Sequence, residues 1–587
     1  MSFSKNIAML HCSVIMCGSF ASSTYAQVTI NEGGNLYGQK MTNGAVFNLQ
    51  GDAILKANAS NTQSVSGTVT FNGQPDGSII DLNANGNFNK LQTTGSNPTI
   101  VGNNVTFANG SSTSQGAALT SLVSTTIAGS NISFKNNSTT NYGGAIHLNN
   151  SNATLNITAD NFTLEGNSTT LSGGGIWTNG KVNVTGNFTL IGNASGGYGG
   201  GIRGDFTATG LDKLITINDN STAQGGGGIN GTYISIEGTV KASGNSALNE
   251  SGGALRAVDS SNSNIQLTNA NTQHEFINNK ANVGGGAMYT NHHLLLSGSG
   301  IFDNNTAGSK GGAIFVATGT SDSVNLGNTQ ANLSFTNNKA GYLTNGTTNS
   351  TGLGGAIYTL GNINLTGENL LVSNNIATNS AGAFYTEKSL NVTGKLTAEN
   401  NYALSGNAGL GEVGAFNLTA LDDTTINNNY AQGNGGAFSI SDTNGLGSSI
   451  YAKEGNIVFS GNKSEASFSG ANAIIGSGTA NAIYFNNNAG ANIELKAAAD
   501  KTLSFFDPIT SNLSGAVSNV NINKDTTGTV LFSGENYSAN SADTQSIILA
   551  KTTIHGGTFE LKDNAEYGES TRHQLYSQRR RHLDDYR

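Results

Sequence analysis

The chain has 587 residues, with 80 Gly, only 3 Pro and a charged fraction of 11%. Its net charge of −9 is modest for this length and acidic, which argues against a nucleic-acid partner, because that would call for a basic face. Both cysteines, Cys12 and Cys17, lie close to the N-terminus, so the chain beyond them can build no disulfide and no thiolate metal site.

Residues 1–26 read as a secretory signal peptide. Lys5 is the basic start, and the apolar run from Ile7 to Phe20 is too short to span a bilayer. Thr24-Tyr25-Ala26 places small residues at the −3 and −1 positions, which predicts cleavage between Ala26 and Gln27; Ser19-Phe20-Ala21 is the alternative. Met16 stands before Cys17 where a lipoprotein signal has a small residue. Residues 27–110 hold strand-like runs (Val28-Thr29-Ile30, Ile79-Ile80-Asp81-Leu82, Val105-Thr106-Phe107) but no clean repeat, as expected of an N-terminal cap and irregular first coils.

Residues 111–500 are a repeat array in which two tetrapeptides alternate. The first is Gly143-Gly144-Ala145-Ile146, repeated as Gly173 to Ile176, Gly199 to Ile202, Gly226 to Ile229, Gly252 to Leu255, Gly285 to Met288, Gly311-Gly312-Ala313-Ile314 and Gly354-Gly355-Ala356-Ile357. Ala381 to Phe384, Val413-Gly414-Ala415-Phe416, Gly435 to Phe438 and Ala471-Asn472-Ala473-Ile474 continue the series, and Gly116 to Leu119 is a worn first copy. The second motif is a large apolar residue followed three places later by Asn: Phe134/Asn137, Leu164/Asn167, Leu190/Asn193, Ile217/Asn220, Phe276/Asn279, Phe302/Asn305, Phe335/Asn338, Ile426/Asn429 and Phe459/Asn462. The period is roughly 30 residues, the range of solenoid repeats.

The unit from Gly174 to Asn193 shows the internal order. Gly174 to Thr178, Lys181 to Thr185 and Phe188 to Ile191 are three alternating runs separated by Asn179-Gly180 and Gly186-Asn187. Such a unit, repeated in phase, predicts an all-β fold, a right-handed parallel β-helix with coils of about 30 residues, and about a dozen rungs between 111 and 490. The glycines supply a sharp corner, and Ile146, Ile176, Ile202, Ile314 and Ile357 are expected to form one inward column. The Asn closing the second motif is expected at a turn, where Asn tolerates left-handed backbone, and stacked Asn side chains can bond in ladders.

Past Lys501 the motifs stop, although Leu503-Ser504-Phe505-Phe506-Asp507-Pro508-Ile509, Gly528 to Glu535 and Gly556 to Leu561 still read as strands. The two tetrapeptides together with Phe505-Phe506-Asp507-Pro508-Ile509 resemble the chlamydial polymorphic outer membrane proteins, over roughly residues 1–568. These are autotransporters with a signal peptide, a β-helical passenger, a middle domain and a C-terminal barrel. The resemblance implies that 501–568 ends the passenger and begins the middle domain. It also implies a surface-exposed or secreted passenger associated with the outer membrane, acting as a host-cell adhesin and variable antigen. A host-cell surface protein would be the partner, and both tetrapeptides would serve as adhesion motifs. From Glu569 to Arg587 the text changes: it lacks Gly and Asn and holds Arg572, Arg579, Arg580, Arg581 and Arg587. This departs from the family pattern and is expected to be an aberrant basic tail of a truncated form with no β-barrel.

Other chemistry competes with this reading. The alternative function is a β-helical carbohydrate-active enzyme, which would need paired carboxylates on one face; Asp422-Asp423 is the adjacent acidic pair of the array and reads as a solvated turn. His292-His293 lacks spaced Cys, Asp or Glu partners and reads as a strand surface, so no metal and no cofactor is expected. Arg203-Gly204-Asp205 matches an integrin-binding tripeptide and is expected in a turn, although chance accounts for it. The residue after each inward Ile should point out. Rung by rung this position reads His147, Trp177, Arg203, Asn230, Arg256, Tyr289, Phe315, Tyr358 and Tyr385. Of these, Trp177, Arg203, Arg256, Tyr289, Phe315, Tyr358 and Tyr385 make an expected binding ladder beside a flat strip of Ala145, Gly175, Gly201, Ala287, Ala313, Ala356 and Ala383. Stacking between rungs is the competing role for that ladder.

Overall fold

Alternating β-branched runs bounded by Gly and Asn can bury one face each only if a neighbour supplies the other wall, and here the neighbour is the next coil. The computed structural model describes residues 27–568 and 575–577, apart from 37–40, 55–61, 83–89, 260–262, 318, 320–322, 443–444, 469–476, 487–491, 512–518, 539–540 and 549–550. The expected signal segment up to Ala26 and the arginines of the tail fall outside the described residues; Gln27 opens the first strand. The chain is a parallel β-solenoid of about 17 turns. Among the described residues the one helical element is the 3-10 turn Ala542–Thr544.

Stacking begins earlier than the motifs do. Gln27–Ile30 already pairs in parallel with Ala45–Leu49, which pairs with Thr62–Asn72. It also continues past them: Thr502–Phe505 stacks on Ile457–Ser460 and carries Thr529–Ser533. A 14-stranded sheet of two-residue strands runs from Ser111–Ser112 to Thr479–Ala480, alongside the longer strands of each coil. This fourth, short face is what distinguishes the regular array from the coils on either side.

The inward column is Leu119, Ile146, Ile176, Ile202, Ile229, Leu255, Met288, Ile314, Ile357 and Phe384, each in register with the next. Phe384 then pairs with Gly411, and Gly411 with Phe438. Val413-Gly414-Ala415-Phe416 is therefore not the next copy of the motif: Ala415 pairs with Ser389 and Phe416 with Leu390. The true copy is Ala408-Gly409-Leu410-Gly411. It lacks a side chain at the fourth place because the Phe438 ring is there; a Cβ on Gly411 would lie 2.9 Å from Phe438 Cε1, and Phe438 stacks on Phe416 at 4.0 Å. Ala471-Asn472-Ala473-Ile474 lies outside the described residues, and the same letters at Ala480-Asn481-Ala482-Ile483 supply the rung that stacks on Phe438. A second column, Phe276, Phe302 and Phe335, stacks nearly face to face at 5.4 and 5.0 Å.

The two glycines of the first motif have separate reasons. Gly311 has φ +58, a left-handed conformation that costs any residue with a Cβ. Gly312 has ordinary φ, but a Cβ there would collide with the carbonyl oxygen of Gly355 one coil on. Natural exceptions follow this order: Ala381 and Ala408 fill the left-handed place with φ 61 and 60, while Gly382 and Gly409 keep the second.

The second motif builds the central hydrogen-bond system. Asn137, Asn167, Asn193, Asn220, Asn245, Asn279, Asn305, Asn338, Asn375, Asn401, Asn429 and Asn462 are all fully buried. Each Nδ2 donates to the Oδ1 of the Asn in the next coil, as from Asn305 to Asn338 at 3.0 Å, and most also donate to the backbone carbonyl of the preceding coil, as from Asn305 to Phe276 O at 2.8 Å. The backbone N–H of each donates to the same forward Oδ1. The ladder ends on Asp507, whose Oδ2 accepts from both nitrogens of Asn462, while Oδ1 accepts from Gly461 N and Tyr537 Oη. One expectation is corrected here. The left-handed residue is the one before the ladder Asn (Asn136, Asn278, Asn304, Asn337 and Asn428, or Gly166, Gly192 and Gly461), which turns the backbone so that the Asn itself points inward.

Two predictions follow from this interior. Asn305→Ala removes an acceptor shared by two nitrogens of Asn279 and a donor to Phe276 O and Asn338, all buried; thermal melting should report a loss of about 3–5 kcal/mol. Asn161→Ala, in the exposed ladder Asn131–Asn161–Asn187, should cost less than about 1 kcal/mol. The second concerns His274, fully buried between Val240 and Gly300, with Nδ1 accepting from Val240 N and Nε2 without a partner. Burial pushes its pKa down to about 4 from 6.5. The unfolded chain thus binds the proton more tightly, and stability falls as pH drops from about 6.5 to about 4, by about 3 kcal/mol in full. His274→Val should remove that part of the acid sensitivity, read as the difference in melting between pH 7 and pH 4 for the two proteins.

Candidate binding face

Outside the inward column the register is unbroken: Thr120, His147, Trp177, Arg203, Asn230, Arg256, Tyr289, Phe315, Tyr358, Tyr385, Glu412 and Ser439 follow one another rung by rung. The predicted ladder is one row. It is not an open strip, however. His147 is 1% exposed, Tyr358 5% and Phe315 7%, while Trp177, Arg203, Arg256, Tyr289 and Tyr385 are half-buried. The cover is the turn before each glycine pair, which folds back over the row. Gly284 lies so close to the Phe315 ring that a Cβ would strike it, and Gly284, Lys310, Leu353 and Ser380 are bridged to one another in sequence.

The flat small-residue strip is also corrected. Ala145, Ala287, Ala313, Ala356 and Ala383 belong to the core, and a Cβ at Gly175 or Gly201 would press on Leu164 or Leu190. The strand begins only at the Ile, as in Ile146–Leu148, so the Ala before it lies in the corner, where two-residue alternation does not hold.

Within the row the side chains touch in three groups. His147 stacks on Trp177 at 4.7 Å and Tyr142 packs beside Trp177 at 4.9 Å. The Arg256 guanidinium sits between the Tyr198 and Tyr289 rings at 5.1 and 5.6 Å and pairs with Glu250 at 2.6 Å; Glu250 also accepts from Tyr198 Oη at 2.9 Å. Tyr289, Phe315, Tyr358 and Tyr385 form a continuous contact chain at 5.1, 5.2 and 4.8 Å, with the Lys310 ammonium over Tyr358 at 4.6 Å. Burial, with a smaller contribution from Lys90, pushes His147 down to about 4. Burial and the neighbouring Glu412 push the Tyr385 hydroxyl up, and burial raises the Glu412 carboxyl against the opposing Ser380 hydroxyl. Tyr142, Tyr198, Glu250 and Lys310 escaped the sequence reading. Three of them immediately precede a glycine pair, a position that was not read as a column.

The remaining candidates resolve as follows. Gly143, Gly144, Ala145, Ile146, Phe134, Asn137 and their counterparts at Phe302, Asn305, Gly311 to Ile314, Phe335, Asn338 and Gly354 to Ile357 are all buried, so they shape the rod and touch nothing outside it. Arg203-Gly204-Asp205 lies inside the strand Ile202–Ala208 and not in a turn, with Asp205 Oδ1 accepting from Thr232 N and Tyr233 N. Asp422 faces Lys395 at 3.4 Å in an exposed turn, and Asp423 accepts from Asn456 N. A narrow crevice of about 10 Å³ lies beside Asp507 and Asp543, but Asp543 accepts from Ala480 N and both oxygens of Asp507 are taken, so these carboxylates hold backbone and side-chain donors in place. His293 opens the strand His293–Leu296, and among the described residues no cluster of three or more His, Cys, Asp or Glu could hold a metal ion.

The spans 131–149, 299–317 and 332–360 match the Chlamydia polymorphic membrane protein repeat. Each carries one residue of the buried ladder (Asn137, Asn305 or Asn338) and the glycine pair that follows it. Three segments of the chain therefore resemble that repeat. It is 34% identical over 184 residues to the probable outer membrane protein pmp8 of Chlamydia pneumoniae, covering 29% of this chain and 19% of that relative. It is 32% identical over 177 residues to the probable outer membrane protein pmp1 of the same organism, covering 29% and 18%. The matched stretch thus spans about a fifth of either relative. No solved structure matches the chain.

The geometry of these polymorphic membrane protein repeats favours stacking as the role of the middle of the row. Tyr289→Ser, Phe315→Ser and Tyr358→Ser combined should lower the melting temperature, with about 2–4 kcal/mol lost from the ring contacts. If the triple variant melts like the parent, the stacking role is wrong.

Proposed function

We propose that this chain is a surface-displayed or secreted passenger of the bacterial outer membrane that acts as a host-cell adhesin and variable antigen, with a host-cell surface protein as its partner. The repeat match and the names of the two relatives support the location. The observation that carries the binding role is a division of labour between the two faces of one strand. The glycines, the Ala and Ile of the first motif and the apolar residue and Asn of the second are buried, and they set the register of the coils. The outward neighbour of the Ile column is free to be His, Trp, Arg, Asn, Tyr, Phe, Glu or Ser in successive coils without altering the register. A row that varies in residue type without changing the register suits an antigen. A surface rich in half-exposed Trp, Tyr and Arg suits protein recognition, because those types concentrate binding energy.

Two measurements test this. An antibody raised against the repeat array should label intact bacteria, and the purified chain should bind host cells saturably. Absence of both labelling and binding would sink the reading. Turnover of a polysaccharide that is lost on replacing an acidic residue would replace it with the carbohydrate-active alternative.

A further inference from the structure

The corners that lead into the glycine pairs carry little charge: Glu250 lies in the corner 246–252, and a run of lysines occupies the coils that follow it. In the turns spanning 280–286, 306–312, 339–355 and 376–382 the charged residues are Lys280, Lys310 and Lys339, and there is no Asp or Glu. This is a purely cationic strip on a chain whose net charge is −9. The register aligns it: Lys280 pairs with Thr306 and Thr306 with Lys339, so these two lysines stand on one line two coils apart, with Lys310 in the coil between them. At about 4.8 Å per coil, Lys280 and Lys339 are roughly 10 Å apart along the rod, and Lys310, on the neighbouring line Gly284–Lys310–Leu353, lies in the coil between them.

Two of these charges are held in place by rings and not neutralised. Lys310 lies over Tyr358 at 4.6 Å and Phe315 at 5.8 Å, and Lys339 lies over Tyr342 at 5.6 Å. None of the three makes an ion pair among the described residues, whereas Arg256, further along the same edge, is matched by Glu250. The strip has a built border. Residues 341–352 form a hairpin, bridged between Tyr342 and Thr348, that lies back over two earlier coils. Thr344 N donates to Asn282 Oδ1, and Asn349 Nδ2 donates to Gly308 O. Its tip, Asn345 to Thr348, is exposed. On the far side stand two exposed aliphatic side chains, Leu248 at 45% and Val283 at 42%. Insertions into a solenoid repeat collect on its binding face.

We infer that this strip is the docking site for an acidic, partly aliphatic segment of the partner protein. Its carboxylates meet Lys280, Lys310 and Lys339, and its apolar side chains cover Leu248 and Val283. Charge complementarity names the partner chemistry, and the aliphatic border favours a polypeptide over a purely polar polyanion. The inference rests on the adhesin reading for the class of partner.

The test uses the full chain and its triple variant Lys280→Gln, Lys310→Gln, Lys339→Gln, which removes the charges and keeps unbranched polar side chains; equal melting temperatures establish that the variant is folded. On immobilised poly-L-glutamate at low salt the parent should be retained and eluted by salt, and the variant should bind roughly tenfold more weakly, the combined effect of three solvent-screened charge pairs. Equal retention of both, or no retention of the parent, overturns the docking site. On host cells, parent binding should be lost after protease treatment of the cells and survive heparinase. Loss with heparinase instead overturns the polypeptide assignment in favour of a sulfated glycan. If the parent is retained on poly-L-glutamate yet binds no host cell, the adhesin reading fails while the strip stands. If the parent and the variant bind cells equally, the adhesin reading stands and the strip is overturned.

Discussion

The buried asparagine ladder is the constraint on which the rest of this rod depends. A polar amide with no exposure must satisfy all its hydrogen-bonding groups, or it costs more than the bond it forms. Here each amide is satisfied only by the equivalent amide one coil away and by the backbone of the coil behind. That requirement fixes register in a way that apolar columns cannot. An Ile can slide against an Ile, a Leu or a Met, and this column contains all three. A shift of one residue would leave every Asn in the ladder without its partner.

The glycine pair and the left-handed residue before each ladder Asn serve the same end. The first glycine turns the chain, and the second lets the next coil's carbonyl come close. The residue before the ladder Asn is Asn, Gly or Asp from coil to coil, the types that adopt positive φ at least cost. Coils of unequal length can then stack, because only these corners need to be alike. The long excursion at 341–352 leaves Ile314 in register with Ile357, and Ile357 with Phe384.

The repeating motifs made the fold legible in the sequence, since identical letters at a fixed phase imply identical neighbours. Where the letters varied, the reading slipped. Asn245, Asn375 and Asn401 were passed over because their third-preceding residues, Ala242, Val372 and Ala398, are smaller than the Leu, Ile or Phe of the clearer copies, although the Asn is what the ladder uses. Val413 to Phe416 matches the motif in its letters, but that Phe ring belongs to another column, and the true copy ends in Gly411. The row of the candidate site was readable because it is tied to the Ile column by one residue. Its cover was not, because the turn that folds back over it is adjacent in space to a strand it does not touch in sequence. Exposure, unlike register, is set by whatever crosses above.

The end of the ladder shows why Asp507 is not one more Asn. Each amide donates forward and accepts from behind, so the side-chain dipoles point one way along the rod, with the N–H ends toward Asp507. Aligned dipoles favour an anion at their positive end, as at a helix N-terminus. The final position must also accept from Asn462 without passing a proton on. Four donors converge there: Gly461 N, Asn462 N, Asn462 Nδ2 and Tyr537 Oη. Burial pushes the Asp507 carboxyl up, and those four donors pull it back toward the ionised form. An Asn at this place would turn an NH2 group toward two of the donors and leave them unsatisfied in a dry interior. The local backbone is matched to the change, since the Phe505-Phe506-Asp507 step is one residue shorter than Phe459 to Asn462 and needs no left-handed residue, and Phe505 still stacks on Phe459 at 4.8 Å. The stop to the amide ladder is therefore written in the sequence as a charge and a missing residue, while the apolar columns run on through Phe532.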